Sequence, residues 1–319
     1  MTMEIALGID IGGTNTKFGM VNRAGEILEK GSLPTGKHET VEEFINALSN
    51  IIHPLIQKFS DHQFCGIGIG APNGNYYTGT IEDALNLKWK GSIPLARILT
   101  EKLNIPCTIT NDANAAAVGE MKYGAAKNMK DFIMITLGTG VGSGIVCDGK
   151  LIYGHDGFAG ELGHTIVKPG GRKHWSTDSE GSLEAYASAT GIAITAKKMR
   201  AEFPDSLLNQ YPETEINSKT VYDCALKKDA VAIEVFRYTG QKLGEAFANF
   251  VMFSSPEAIL LFGGVIKAGD FLLGPAKFHM ERNLLPSSRG KINLILSELP
   301  EADAAILGAS ALVWEEDFC

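Results

Sequence analysis

Ile133 to His164 reads IMITLGTGVGSGIVCDGKLIYGHDGFAGELGH, and it joins two kinds of chemistry in one segment. The apolar run Phe132 to Thr136 has strand character, meets glycine at every second position (Gly138, Gly140, Gly142, Gly144) and resumes as a strand at Ile145 to Cys147. That pattern predicts a tight β-hairpin. Glycine tolerates positive φ and has no Cβ, so successive N–H groups of such a turn can converge on an oxyanion, with Thr139 and Ser143 as added hydroxyl donors. Phosphate is the expected guest. The segment closes on Gly160-Glu161-Leu162-Gly163-His164, a carboxylate and an imidazole on neighbouring turns, both suited to hydrogen-bonding hydroxyl groups. The stretch therefore predicts a phosphate site joined to a polyol site. Its plain rival is a glycine-rich hairpin with a surface Glu and His.

Around this segment lies an ordinary globular chain. Its 319 residues, 45% hydrophobic, are enough for two domains or one large α/β unit with a cleft. A formal charge of -8 without a basic run argues against nucleic acid as a partner, because affinity for a phosphate backbone comes from clustered Lys and Arg. The first ten residues carry no basic stretch followed by an apolar one, and no apolar run approaches the ~20 residues that span a bilayer, so neither secretion nor membrane insertion is expected. The five cysteines are far apart in sequence, which fits reduced cytoplasmic thiols, Cys319 among them as an incidental one.

From the amino terminus, Glu4 to Ile11 reads as a strand, Gly12-Gly13-Thr14-Asn15 as a turn, Thr16 to Val21 as a second strand and Glu26 to Leu33 as a third. Here glycines connect strand to strand, whereas a dinucleotide fingerprint opens a helix, so a Rossmann fold is excluded. Asp10, ending the first strand, is placed to hold Mg²⁺ beside phosphate oxygens, directly or through water. A helix over Val41 to Phe59 follows, capped by Thr40, with Phe44, Leu48, Ile51, Leu55 and Phe59 on one face. The strand Cys65 to Gly70 leads into a loop with Asn73 and Gly74, at the strand end where α/β folds put ligands. The next loop carries Asn86 and Trp89, a Trp either stacked on a sugar or in the core. Asn111-Asp112 opens a helix after a short strand, and spacing alone does not separate a cap from a general base at Asp112. Further helices are expected over Leu183 to Glu202, Thr220 to Leu226 and Ala230 to Phe253. A strand ending in Gly263-Gly264 offers either a resting place for a flat ring or a simple turn. Both halves of the chain begin with strand, glycine hairpin, strand, turn and strand, a topological echo that would set two phosphate hairpins across one cleft.

Leu137-x-x-Gly140-Val141-Gly142-x-Gly144-Ile145, then Gly154, then Gly160-x-x-Gly163-His164 resembles the signature of the ROK family of repressors, open reading frames and kinases. Asp10 to Asn15 is similar to that family's first phosphate motif, Asn111-Asp112 to its catalytic pair, and Leu183 to Ser188 to its segment with a further sugar-binding Glu. The resemblance implies an α/β chain with the actin-like ATPase (ribonuclease H-like) fold, two lobes about a central cleft. Residues 1–120 would form a small lobe with the first hairpin and the catalytic Asp. Residues 121–319 would form a large lobe with the second hairpin and the sugar and adenosine segments, its last helix able to pack back on the small lobe.

The implied activity is ATP-dependent phosphorylation of a hexose 6-hydroxyl, most simply that of glucose at the start of glycolysis. N-acetylglucosamine, N-acetylmannosamine and fructose are the rival acceptors. By the likeness Asp112 is the base, and Asn73, Gly74, Asn86, Asn111, Glu161, His164 and Glu184 hold the sugar. Asp10, Gly12, Gly13, Thr14, Asn15, Lys17, Gly138, Thr139, Gly140, Gly263 and Gly264 serve ATP, with Mg²⁺ at Asp10. This agrees with phosphoryl transfer as positioning plus charge stabilisation. A homodimer is implied as well. The family's sugar-responsive repressors carry a DNA-binding domain ahead of this core, for which a first strand near residue 4 leaves no room; a non-catalytic sugar sensor would not need Asp112 together with both hairpins.

Many family members carry a Cys-rich zinc loop just before the Leu-Glu pair. The matching run here, GGRKHWSTDSEGS from Gly170 to Ser182, contains no cysteine, and His164, His174 and a carboxylate such as Asp178 fall short of four good zinc ligands. Metal analysis of the purified protein is expected to find no stoichiometric zinc; one zinc per chain would show that this loop is held otherwise than by hydrogen bonds and packing.

Overall fold

The computed structural model describes residues 2–316 and 318–319. Strands β1 (Glu4–Ile11), β2 (Thr16–Asn22) and β3 (Ile27–Leu33) form an antiparallel meander, and β4 (Gln63–Ala71) adds parallel to β1. Short strands β5 (Gly74–Asn75), β6 (Thr80–Glu82) and β7 (Ser92–Ile93) make a separate small sheet before β8 (Cys107–Asn111) completes the first one, in the order β3-β2-β1-β4-β8. The second half repeats the pattern with β9 (Phe132–Leu137), β10 (Val141–Cys147), β11 (Lys150–Leu151), β12 (Ala258–Phe262) and β13 (Asn293–Leu296), ordered β11-β10-β9-β12-β13. The meander is antiparallel and the inner additions are parallel in both sheets. The duplication read from two glycine hairpins is thus a duplication of whole sheets, the actin-like arrangement. No helix among the described residues is long and apolar enough to cross a membrane.

Helix α1 (Val41–Lys58) starts at Thr40 through a reciprocal capping box with Glu43. It covers the first sheet with Phe44, Ile45, Leu48, Ile52 and Leu55, while Ile51, expected on that face, is 40% exposed. The apolar stripe drifts around the helix rather than following one row. Trp89 is 6% exposed and packs on Phe44 with ring centroids 4.6 Å apart, which makes it core and not a platform for a sugar. Helix α2 (Leu95–Leu103) packs beside α1. The continuous helix expected from Leu183 is interrupted: α4 (Glu184–Ala187) ends at Ser188, whose extended backbone breaks the run and whose hydroxyl accepts from Gly191 N–H to cap α5 (Ala189–Arg200). With α6 (Ser218–Leu226), α7 (Ala230–Ser254) and α8 (Asp270–Asn283), these helices build the core around the second sheet.

Helices α3 (Asp112–Tyr123) and α9 (Ala304–Val313) form the joint between the halves. α9 lies on β1 and β4, and α3 packs on both α9 and β10, so the boundary expected at residue 120 falls inside a helix that touches both sheets. The small residues of α9 are used internally. A Cβ at Gly8 would stand 2.2 Å from the Ile306 carbonyl oxygen, and one at Gly119 2.8 Å from Gly308 Cα.

The cysteines require a correction. Cys65 on β4 and Cys319 form a disulfide with Cα atoms 5.2 Å apart, although 254 residues separate them in sequence. The chain end returns to the first sheet because α9 is seated there, so Cys319 is no incidental thiol; Cys107, Cys147 and Cys224 remain free.

The α9 contact yields a direct stability test. A Cβ at Gly68 would lie 1.9 Å from the Ala309 carbonyl oxygen, where no side-chain motion can relieve it. Gly68→Ala is expected to lower the free energy of urea unfolding by about 3 kcal/mol; an unchanged midpoint would mean that α9 does not rest on β4 in solution.

Candidate active site

The site begins where β8 turns into α3. Asn111 is the N-cap: its side chain accepts from Ala113 N–H at 2.8 Å, and one oxygen of Asp112 shares the same donor at 2.8 Å. The cap role that spacing allowed for Asp112 therefore falls to its neighbour. The Asp112 surface opens to the cleft, while protein crowded around the cleft floor withdraws most bulk solvation. The second effect governs its charge: burial pushes its carboxyl above the ordinary carboxylate range, against the N–H groups of Ala113 and of Asp112 itself. Asp10, at the end of β1, is pushed up to about 6, first by burial and then by Asp112, with Lys17 pulling the other way. No hydrogen bond to the Asp10 carboxylate is found among the described residues.

The two hairpins face this point, but their glycines serve a purpose other than the expected one. None of Gly12, Gly13, Gly138, Gly140, Gly142 and Gly144 has positive φ. All but Gly138 are small because something lies against them. A Cβ at Gly13 would sit 2.4 Å from the Asn86 carbonyl oxygen, one at Gly142 2.9 Å from Ala113 Cβ, and one at Gly144 2.8 Å from Ala117 Cβ. β10 thus lies directly on α3, behind Asp112. Ser143 is also reassigned: its hydroxyl donates to Gly160 carbonyl and accepts from Leu162 N–H, pinning the Glu161 turn instead of facing phosphate. Thr139 stays exposed at the hairpin tip.

Glu161, His164 and Glu184 come together. Glu161 lies 4.0 Å from His164 Nε2, and both side chains are partly exposed. Burial raises the Glu161 pKa, His164 lowers it, and Asp112 and Glu184 raise it further, so the four groups share one electrostatic neighbourhood. Glu184 is held from two sides: Val141 N–H donates to Oε2 at 2.7 Å and His174 Nε2 lies 2.7 Å from Oε1. Gly140 makes room for it, since a Cβ there would stand 2.5 Å from Oε2. The sequence reading missed His174 as part of this site, because a single His in a Gly- and Ser-rich loop carries no spacing signal.

The ROK family profile matches residues 6–316 of this chain. The chain belongs to the ROK family. It is similar to a glucokinase of Halalkalibacterium halodurans, 38% identical over 98% of this chain and 95% of that one. It is also similar to a xylose repressor of Caldicellulosiruptor bescii, 29% identical over 96% of this chain and 77% of the repressor. A ROK glucokinase from Streptomyces griseus, solved with glucose and AMPPNP, superposes with a TM-score of 0.78 at 31% identity, over 98% of this chain and 100% of that one.

In this ROK chain a cavity of about 530 Å³ opens beside the second hairpin, lined by Gly138, Thr139, Ala189, Tyr222, Gly264 and Lys267 among others. Gly138 and Gly264 have nothing within 4 Å of a notional Cβ and so bare their backbone to it, whereas Gly263 (φ 111) is packed on the Leu137 carbonyl. The wall from α5 and α6 carries no recognisable motif and was not foreseen. Of the remaining expected residues, Asn73 (φ 50) spends its amide on the Glu82 carbonyl at 2.8 Å, Gly74 lies against the Thr110 carbonyl, and Asn86 is exposed above Gly13. Gly12, Thr14, Asn15 and Lys17 line the first hairpin, Thr14, Asn15 and Lys17 being exposed. Among the described residues no three His, Cys, Asp or Glu side chains converge as a metal cage.

The raised Asp10 pKa is a statement about stability. The folded chain holds this proton more tightly than the unfolded chain, so the stability of the protonated form is present below pH 3.8 and is lost as pH rises through about 6. Asp10→Asn, which cannot ionise, is expected to raise the unfolding free energy at pH 8 by on the order of 2 kcal/mol and to give no gain near pH 3.5. Urea titrations at the two pH values check both the size and the sign.

Proposed function

We propose that this chain is an ATP-dependent glucokinase, transferring the terminal phosphoryl group of ATP to the 6-hydroxyl of glucose. The observation that carries this reading is Asp112: Asn111 does the capping, and the Asp112 carboxylate opens to the cleft within the charge field of both Asp10 and Glu161. The similarity to glucokinases along nearly the whole chain supports the acceptor.

In this reading Asp112 takes the proton from the 6-hydroxyl as its oxygen bonds to the γ-phosphorus and the bond to the ADP oxygen breaks. Glu161, His164, Glu184 and Asn111 hold the other hydroxyls, with the loops of Asn73, Gly74 and Asn86 closing that end. The hairpins Gly12 to Asn15 and Gly138 to Gly140 flank the phosphates with Lys17 nearby, and adenosine occupies the cavity beside Thr139, Gly263 and Gly264. Asp10 fits Mg²⁺, being a largely buried carboxylate without a protein hydrogen-bond partner; when bound, the ion supplies positive charge to phosphate oxygens and to Asp10.

Residues 1–120 and 121–319 act in this scheme as lobes that close on sugar and nucleotide, with α9 seated on the first. We assign the protein to the cytoplasm, where it would feed glucose into glycolysis. A homodimer completes the reading. Phe253, 83% exposed, and Ile166, 49% exposed, beside an apolar groove of about 360 Å³ support that contact surface. The similarity to a xylose repressor favours a sugar-sensing role as the second reading, and the unspent carboxylate of Asp112 weighs against it.

ADP release measured over glucose, fructose, N-acetylglucosamine and N-acetylmannosamine tests the acceptor, with glucose expected to give the highest kcat/KM. Asp112→Asn is expected to lower kcat by roughly 10²- to 10⁴-fold with little change in unfolding. Undiminished turnover in that variant would return Asp112 to a structural role.

A further inference from the structure

The loop from Gly170 to Ser182 is folded around one side chain. Arg172 and Gly181 are bonded through their backbones, as are His174 and Ser179, with N···O distances of 2.8 Å each, and Lys173 bridges Glu180, so the loop is a narrow hairpin. Below it, the Arg172 guanidinium donates to the carbonyls of Ala185 and Gly191 and to the Thr195 hydroxyl, tying the hairpin to α4 and α5. Inside the hairpin the His174 side chain has no exposed surface, and Trp175 stacks over it with centroids 4.2 Å apart.

The partners of the imidazole fix its tautomer. Nδ1 lies 3.2 Å from the backbone nitrogens of both Ser176 and Thr177, two groups that can only donate. Nδ1 is therefore the acceptor, and Nε2 carries the hydrogen that goes to Glu184 Oε1 at 2.7 Å. The ring also meets the His164 ring edge-on, with centroids 5.7 Å apart. Both nitrogens are used, and a single residue touches two of the side chains assigned to the sugar.

We infer that His174 is a positioning residue for the sugar site: its Nε2–H, together with Val141 N–H, fixes the plane of the Glu184 carboxylate so that the free lone pair on each oxygen meets sugar hydroxyls. The inference rests on the kinase reading above. A carboxylate gripped at one oxygen alone can swing about its terminal torsion; gripped at both it cannot. A hydroxyl bound by the fixed carboxylate then pays less ordering entropy, and the gain belongs to sugar binding and not to the nucleotide.

A purely structural role, capping the turn at Ser176 and Thr177, uses the other nitrogen, and this allows the two to be separated. His174→Asn keeps an acceptor where Nδ1 stands and removes the donor to Glu184. His174→Gln reaches Glu184 with an amide N–H and gives up the turn. For the Asn variant the glucose KM is expected to rise about 10- to 100-fold, with the ATP KM within about twofold of wild type. For the Gln variant the glucose KM should stay within about threefold, even if the melting temperature falls.

The opposite order, or an Asn variant with an unchanged glucose KM, overturns the inference. Should the Asn variant fail to fold, the Gln variant decides alone, and a glucose KM raised tenfold or more counts against the inference. The kinase reading is separated by wild type itself: if wild type binds glucose calorimetrically but forms no ADP, that reading fails while the same variants still test His174 through the glucose Kd.

Discussion

The site depends on backbone coming closer to backbone and to side chain than any Cβ would allow. β10 lies on α3 through Gly142 and Gly144, which meet Ala113 and Ala117, and Gly140 admits the Glu184 carboxylate to within 2.5 Å of where a Cβ would stand. A single strand therefore sets both the candidate base at the head of α3 and a candidate sugar ligand from α4. Overpacking at any one of these positions would cost about 1–3 kcal/mol, but the more telling effect is displacement: shifting α3 by the width of a methyl group moves Asp112 away from Glu161. The same economy recurs on the far side of α3, where Gly119 faces Gly308 and seats α9.

That closeness gathers negative charge. Asp10, Asp112 and Glu161 have raised pKa values with burial as the leading cause, and Asp112 adds to the shift of Asp10 and, with Glu184, to that of Glu161. Opposite charge reaches two of them, from Lys17 on Asp10 and from His164 on Glu161. A cleft in this state is stabilised by a guest that brings hydroxyl donors to one end and a cation to the other. Such sites are maintained at the expense of stability, and the tightly packed sheets and helices on either side supply what the cleft loses.

The topology was legible because each sheet opens with a glycine hairpin between alternating strands; the signature spacing led to Glu161 and His164, and the likeness of Leu183 to Ser188 led to Glu184. The purpose of the glycines was not legible: a sequence shows that a side chain is missing, and not whether torsion or crowding forbids it. Here crowding decides at Gly13, Gly140, Gly142 and Gly144. Ser143, expected to face phosphate, is consumed by the turn it supports. The Cys65–Cys319 link escaped because separation along the chain says nothing of proximity once α9 folds back. His174 escaped for a related reason, since what gives it meaning is the carboxylate it reaches.

The adjacent pair Asn111-Asp112 shows how a helix start can serve two ends. A lone Asp at that position would turn inward to cap its own helix, satisfying a free N–H group and losing its basicity to it. With Asn111 accepting from Ala113, one Asp112 oxygen only shares that contact. The positive end of α3 still favours the ionised form, while burial opposes it and wins. Two opposed influences of this kind leave a carboxylate that is more basic than one in open water. In the proposed mechanism a general base for a sugar hydroxyl needs that basicity, and Asn111 preserves it by taking the cap of α3.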